Sequence, residues 1–103
     1  MSSQRIFLLG MPGSGKSTLG RKLAQSLSID FIDLDEEIAS SDGRSIPNIF
    51  KLDGEDYFRV QESAILKEVC ESKGSFVIAL GGGTPCYHDN LKTIEKYGTS
   101  IFI

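Results

Sequence analysis

No stretch of 18 apolar residues occurs in this 103-residue sequence, which excludes an ordinary membrane-spanning helix. The N-terminus, Met1-Ser2-Ser3-Gln4-Arg5, runs directly into a short apolar segment and lacks the pattern of a secretion signal. A cytoplasmic protein is therefore expected. Cysteine is scarce. Cys70 and Cys86 have no metal-ligand spacing, and a cytosolic protein would keep both reduced, as small apolar side chains buried or half-buried in the fold. A basic excess is missing too: 11 Lys and Arg against 14 Asp and Glu leave a net charge of −3, which argues against a nucleic-acid partner. Any anionic ligand must be held by local features, because the overall field does not attract it. Internal repeats and low-complexity linkers are absent, and the single histidine, His88, receives no role.

The length allows one domain at most, and 40% apolar with 24% charged residues suits a globular chain. Ile6-Phe7-Leu8-Leu9, Phe76-Val77-Ile78-Ala79-Leu80 and Ile101-Phe102-Ile103 are continuous apolar runs of the kind found in parallel strands covered on both faces. Asp30-Phe31-Ile32-Asp33 fits a fourth, shorter strand. Helical spacing connects them: Leu19, Leu23, Ala24 and Leu27 share one face, as do Phe58, Ile65, Leu66 and Val69 within 55–72. A third helix is predicted from about His88 to Tyr97, stopped by Gly98. Strands alternating with helices indicate an α/β fold with a mainly parallel sheet. The final run, Ile101-Phe102-Ile103, reads as the interior of a buried strand with nothing after it to cover it, so the sequence is expected to be part of a longer chain.

Gly10-Met11-Pro12-Gly13-Ser14-Gly15-Lys16-Ser17 satisfies the phosphate-loop spacing G-x-x-x-x-G-K-[ST], with Thr18 behind it. It follows an apolar strand and opens an amphipathic helix, the context the motif requires. Its backbone N–H groups can converge on phosphate oxygens, and the helix N-terminus adds its dipole. Lys16 can reach the β- and γ-phosphates of a nucleoside triphosphate, and the Ser17 hydroxyl can ligate Mg²⁺. The nucleotide-binding set is Gly13, Ser14, Gly15, Lys16, Ser17 and Thr18.

Asp33 and Asp35 follow the second strand at a spacing of two, so an extended chain would point both the same way. At the carboxyl end of a parallel strand they would face the crevice of the phosphate loop. One could hold Mg²⁺ and the other could orient or deprotonate an alcohol. Taken alone, the acids could equally just cap the next helix. Further on come Gly54-Glu55-Asp56-Tyr57-Phe58-Arg59 and Gly81-Gly82-Gly83. With these four landmarks in order, the whole sequence resembles shikimate kinase, a P-loop enzyme family with a three-layer α/β/α fold.

The resemblance implies ATP-dependent phosphorylation of the 3-hydroxyl of shikimate, with Mg²⁺ as cofactor, no nucleic-acid or membrane partner, and a monomer at full length. It makes Ser17 and Asp33 the metal residues and Lys16, Asp35 and Arg59 the catalytic set. Asp35, Arg59, Gly81, Gly82 and Gly83 become the residues that bind shikimate, Arg59 pairing with its carboxylate. Arg59 also has an i,i+4 partner in Glu55, and both roles can hold. Phe50 and Phe58 match apolar positions of the acceptor site, with a core role nearly as well supported. Glu62 could buttress Arg59, although a solvated face is its default reading. The family's lid arginine, a second carboxylate-binding arginine, the last strand and the adenine-contacting loop fall beyond position 103. The 103 residues are thus expected to be the nucleotide-loop and acceptor-binding core, with little turnover by themselves. Two other readings stand beside this one: a gluconate-kinase-like enzyme of the same fold, and a non-catalytic nucleotide-binding remnant.

Overall fold

The computed structural model describes residues 4–10, 15–72, 74–81 and 83–102. Four strands, β1 (Arg5–Leu9), β2 (Asp30–Asp33), β3 (Phe76–Ala79) and β4 (Thr99–Phe102), form one parallel sheet in the order β2-β3-β1-β4. Parallel strands need crossovers. These are α1 (Lys16–Leu27), α2 (Leu34–Asp42) with α3 (Ile46–Ser72), and a 3-10 turn (Thr84–Cys86) with α4 (Asn90–Tyr97).

The pleat sends alternate strand residues into two cores. Ile6, Leu8 and Val77 meet Ala24 of α1 on one face, with Phe31 packed against them. Phe7, Leu9, Ile32, Phe76 and Ile78 meet Ile38, Ile49, Leu66 and Ile94 of the other helices on the opposite face. This is the three-layer α/β/α arrangement, and both faces of the central strands are covered, which is why their sequence reads as unbroken apolar runs. In the larger core Phe7 and Phe76 meet edge to face at 5.7 Å, worth about 0.5–1.5 kcal/mol beyond their burial.

Several expectations change. On α1, Leu19 is 46% exposed and Leu27 lies at the surface, because the helix meets the sheet through small residues. A Cβ on Gly20 would lie 2.5 Å from the Phe31 ring. The predicted 55–72 helix is the second part of α3. The first part, 46–53, was not foreseen, and α2 is the helix that the acids after β2 were expected to cap. Gly54 separates the two parts of α3 with φ 83° and ψ 176°, a conformation essentially restricted to glycine. The third predicted helix starts at Asn90 rather than His88, since His88 and Asp89 take left-handed backbone angles.

The terminal apolar run forms a strand as expected, and among the described residues nothing covers it. β4 pairs with β1 alone among the described strands, and all four of its residues are exposed, Phe102 by 78%. It lies at the sheet edge, not in the interior. Cys70 is buried as expected, whereas Cys86 is exposed.

Register places the carboxyl ends of β1, β2 and β3 along one edge: Leu8 pairs with Ala79, and Ala79 with Asp33. The adjacent strands β1 and β3 send their connections to opposite faces, α1 to one and α4 to the other. A crevice opens at such a switch point.

Candidate active site

On the β1 side of the crevice, α1 begins after Gly15, whose φ is 80°. Among the described residues no side chain caps this N-terminus and no acidic residue stands in the first turn, which suits its N–H groups and dipole to an anion. Lys16 Nζ donates to the Gly10 carbonyl at 3.1 Å, laying the lysine back across the loop from its last residues to its first. Ser17 Oγ donates to Asp33 Oδ2 at 3.4 Å, which ties the loop to the end of β2. Thr18 is exposed on α1. Gly13 and Ser14 lie outside the described residues.

Asp33 does two jobs with two oxygens. Its Oδ1 caps α2 by accepting from the backbone N–H groups of Asp35 (3.0 Å) and Glu36 (3.3 Å), while Oδ2 faces Ser17. The capping reading is realised by one oxygen, which leaves the other directed at the phosphate loop. Asp35 stands in the first turn of α2, so strand alternation does not align it with Asp33; the cap brings the two acids together. Desolvation by the crevice walls, then repulsion from Asp33 and Glu62, push the Asp35 carboxyl above its ordinary value of 3.8, against the opposing pull of Lys16 and Arg59.

Arg59 occupies the α3 side. Its Nη1 donates to both oxygens of Glu62, at 3.1 and 3.3 Å, and Nη2 donates to Glu55 at 3.3 Å. Burial alone would lower its pKa, and the Glu62 and Glu55 carboxylates reverse that, so the guanidinium stays charged. The Tyr87 ring centroid lies 4.2 Å from its Cζ and that of Phe58 lies 5.3 Å away. Glu62 is fully buried and accepts a 2.7 Å hydrogen bond from Thr84 Oγ1, so the buttress replaces the solvated face. Phe58 is buried and stacks at 4.7 Å on Phe50, whose ring keeps solvent contact.

The glycine run joins the two sides. A Cβ on Gly83 would come within 2.9 Å of Arg59 Nη2. One on Gly81 would stand 3.9 Å from Asp35 Oδ1 and 4.0 Å from Glu62 Oε2. Gly82 lies outside the described residues. The backbone at Gly83 thus approaches Arg59 more closely than a side chain would permit, whereas Gly81 leaves room for ordinary contact with Asp35 and Glu62.

Among the described residues no group of three or more His, Cys, Asp or Glu side chains could hold a metal. The Ser17 hydroxyl and Asp33 Oδ2 are hard oxygen donors beside a phosphate loop, and such a pair suits Mg²⁺, which keeps waters and takes phosphate oxygens as its remaining ligands.

The shikimate kinase family model matches residues 12–103. The chain belongs to the shikimate kinase family. The bifunctional shikimate kinase/3-dehydroquinate synthase of Thermotoga maritima is 47% identical over 95 residues, covering 92% of this chain and 19% of that protein. Shikimate kinase of Clostridium botulinum (strain 657 / Type Ba4) is 43% identical over 100 residues, 97% of this chain and 58% of the relative. Among solved structures, shikimate kinase of Bacteroides thetaiotaomicron superimposes with a TM-score of 0.92 at 39% identity, covering 99% of this chain and 57% of the other. The Acinetobacter baumannii enzyme in complex with shikimate gives 0.91 at 37% identity, with 97% and 55% covered. The chain spans well under two thirds of the relatives it matches.

Sequence reasoning for this shikimate kinase family member overlooked Thr84, Tyr87 and Asn90. Thr84 and Asn90 are buried, and Asn90 Nδ2 donates to the Thr84 carbonyl at 2.8 Å. Only the polar residues directly after three glycines hinted at them. A second overlooked group joins α2 to α3: Arg44 donates to Asp42 at 2.6 and 3.1 Å and pairs with Asp53 at 2.7 Å, and Tyr57 Oη donates to Asp42 at 2.6 Å. The Arg44 and Tyr57 hydrogen bonds hold the Asp42 carboxyl below its ordinary value.

Proposed function

We propose that these residues carry the phosphate-binding and acceptor-binding core of a kinase that transfers the γ-phosphoryl group of ATP to the 3-hydroxyl of shikimate. The convergence of Asp35, Arg59, Gly81 and Gly83 beside the Ser17–Asp33 pair is the observation that supports this most. Membership of the shikimate kinase family supports it further.

Transfer of this kind depends on positioning and on charge stabilisation. The N-terminus of α1 and Lys16 bind the nucleotide phosphates, Lys16 leaving the Gly10 carbonyl for a phosphate oxygen. Arg59 takes the acceptor carboxylate through its planar fork of donors. Asp35 hydrogen-bonds the attacking hydroxyl and receives its proton, and its raised pKa makes it a better base than an ordinary aspartate. Mg²⁺, held by Ser17 and Asp33, would supply positive charge to the phosphate oxygens. The adenine-contacting and lid residues belong, on family resemblance, to a part of the enzyme outside these 103 positions. We place the protein in the cytoplasm and expect a monomer.

Calorimetric titration of the chain with shikimate and with gluconate tests the acceptor. Shikimate binding that falls sharply but stays measurable in Arg59→Ala is expected, with gluconate bound more weakly than shikimate. Equal or stronger gluconate binding would replace the acceptor, and ATP binding with no acceptor bound at all would leave only a nucleotide site.

A further inference from the structure

Tyr87 is an aromatic residue at the surface, 37% exposed. Its ring lies against the guanidinium of Arg59, 4.2 Å from Cζ to centroid. Glu62 and Glu55 fix Arg59 through its Nη1 and Nη2 atoms, and its Nε is buried without an acceptor among the described residues. Two carboxylates constrain a guanidinium within its plane but leave it free to tilt. A ring on its face removes that freedom and strips water from one side, which strengthens whatever anion approaches its edge.

The ring can do this only if its own backbone is held, and it is. Asn90 N donates to the Tyr87 carbonyl at 3.0 Å, and Asn90 Nδ2 pins the Thr84 carbonyl at 2.8 Å. Thr84 in turn reaches Glu62, the same residue that grips Arg59. On the far side, Ser63 Oγ donates to the His88 carbonyl at 3.4 Å, holding the turn in which His88 and Asp89 take left-handed angles. The segment 84–90 is therefore bonded to α3 on both sides of Tyr87.

From this geometry we infer that Tyr87 is a positioning residue for acceptor recognition, fixing the tilt of Arg59 so that its edge meets the carboxylate of the acceptor. The inference rests on the acceptor site proposed above. Because the side chain is exposed, its replacement leaves the fold intact, and binding can be read directly. Titrations of the chain with shikimate and, separately, with ATP are compared for the unaltered protein, Tyr87→Phe and Tyr87→Ala. Tyr87→Ala should weaken shikimate binding about 3- to 30-fold and leave ATP binding unchanged, while Tyr87→Phe, which keeps the ring, stays within about 2-fold of the unaltered protein. In an Arg59→Ala background the Tyr87→Ala change should have no further effect, a coupling that loss of general structure would not produce. Unchanged shikimate affinity in Tyr87→Ala overturns the inference, as does a Phe variant as weak as the Ala variant. If the unaltered chain binds ATP and no shikimate, the acceptor reading falls and this inference with it.

Discussion

Asp35 and Gly83 show how single side chains divide the work of the crevice. The Asp35 carboxyl is pushed above 3.8, so the folded protein favours its protonated form more than the unfolded chain does. Ionisation at neutral pH therefore costs stability, and that cost vanishes as the pH falls below the unfolded value. Asp35→Asn should accordingly unfold at a higher temperature than the unaltered chain at pH 7, with the two converging below pH about 4. In the enzyme, the same change should lower acceptor-dependent ADP release by about 10²- to 10⁴-fold, the usual contribution of a general base; near-normal turnover would remove Asp35 from that role. Gly83 works by leaving space. Gly83→Ala would drive a methyl group into the end of the Arg59 side chain, and displacing it disturbs the pair with the buried Glu62. Shikimate affinity should fall by about 10-fold or more, and the melting temperature should fall with it. Lys16, Ser17, Asp33 and Asp35 were singled out by motif spacing and Arg59 by family resemblance, and the structure brings these five to one crevice. Tyr87 and Asn90 were not legible in the sequence, because their roles come from contacts with Arg59 and Thr84 across the fold.

At the scale of elements, α3 bends where its sequence permits. Gly54 stands between a part carrying Ile49 and Phe50 and a part carrying Phe58, Arg59 and Glu62, and the bend lets Phe50 stack on Phe58. The Arg44 pairs with Asp42 and Asp53 fasten the first part of α3 to the end of α2. Gly54→Ala meets no atom within 4 Å, so its penalty is purely backbone, about 1–3 kcal/mol. Urea unfolding measures it, and a loss below about 0.5 kcal/mol would show that the bend tolerates an ordinary residue. Periodicity located 55–72 because a long apolar face repeats there. It missed 34–42 and 46–53, which are short, and in α2 only Leu34 and Ile38 are buried. Their helices are set by the Asp33 cap and by packing on each other, which no apolar period displays.

For the whole molecule, composition and alternation indicated a parallel α/β sheet, and the strand order needed the structure. β1 pairs with β3 across some seventy positions, Arg5 beside Phe76, and nothing local specifies such a partner. The same limit explains β4: Ile101 and Phe102 are apolar like the central strands, but burial depends on neighbours that the run itself does not name. Cysteine chemistry reports on the fold as a unit. Burial pushes the Cys70 thiol up to about 11, while Cys86 stands exposed. A thiol reagent at pH 8 should label Cys86 promptly and Cys70 only as fast as the molecule opens. Equal rates would mean that the α3 face of the sheet opens locally. The polar lining of the crevice carries a last implication. Among the described residues Asp33, Asp35, Glu55 and Glu62 gather around Lys16 and Arg59, an excess of two negative charges when all are ionised. On the proposed reaction an acceptor that arrives with one carboxylate would leave bearing a phosphate as well, and the carboxylates that steady Arg59 would then repel it. The phosphorylated acceptor should therefore bind more weakly than shikimate, most visibly at low salt.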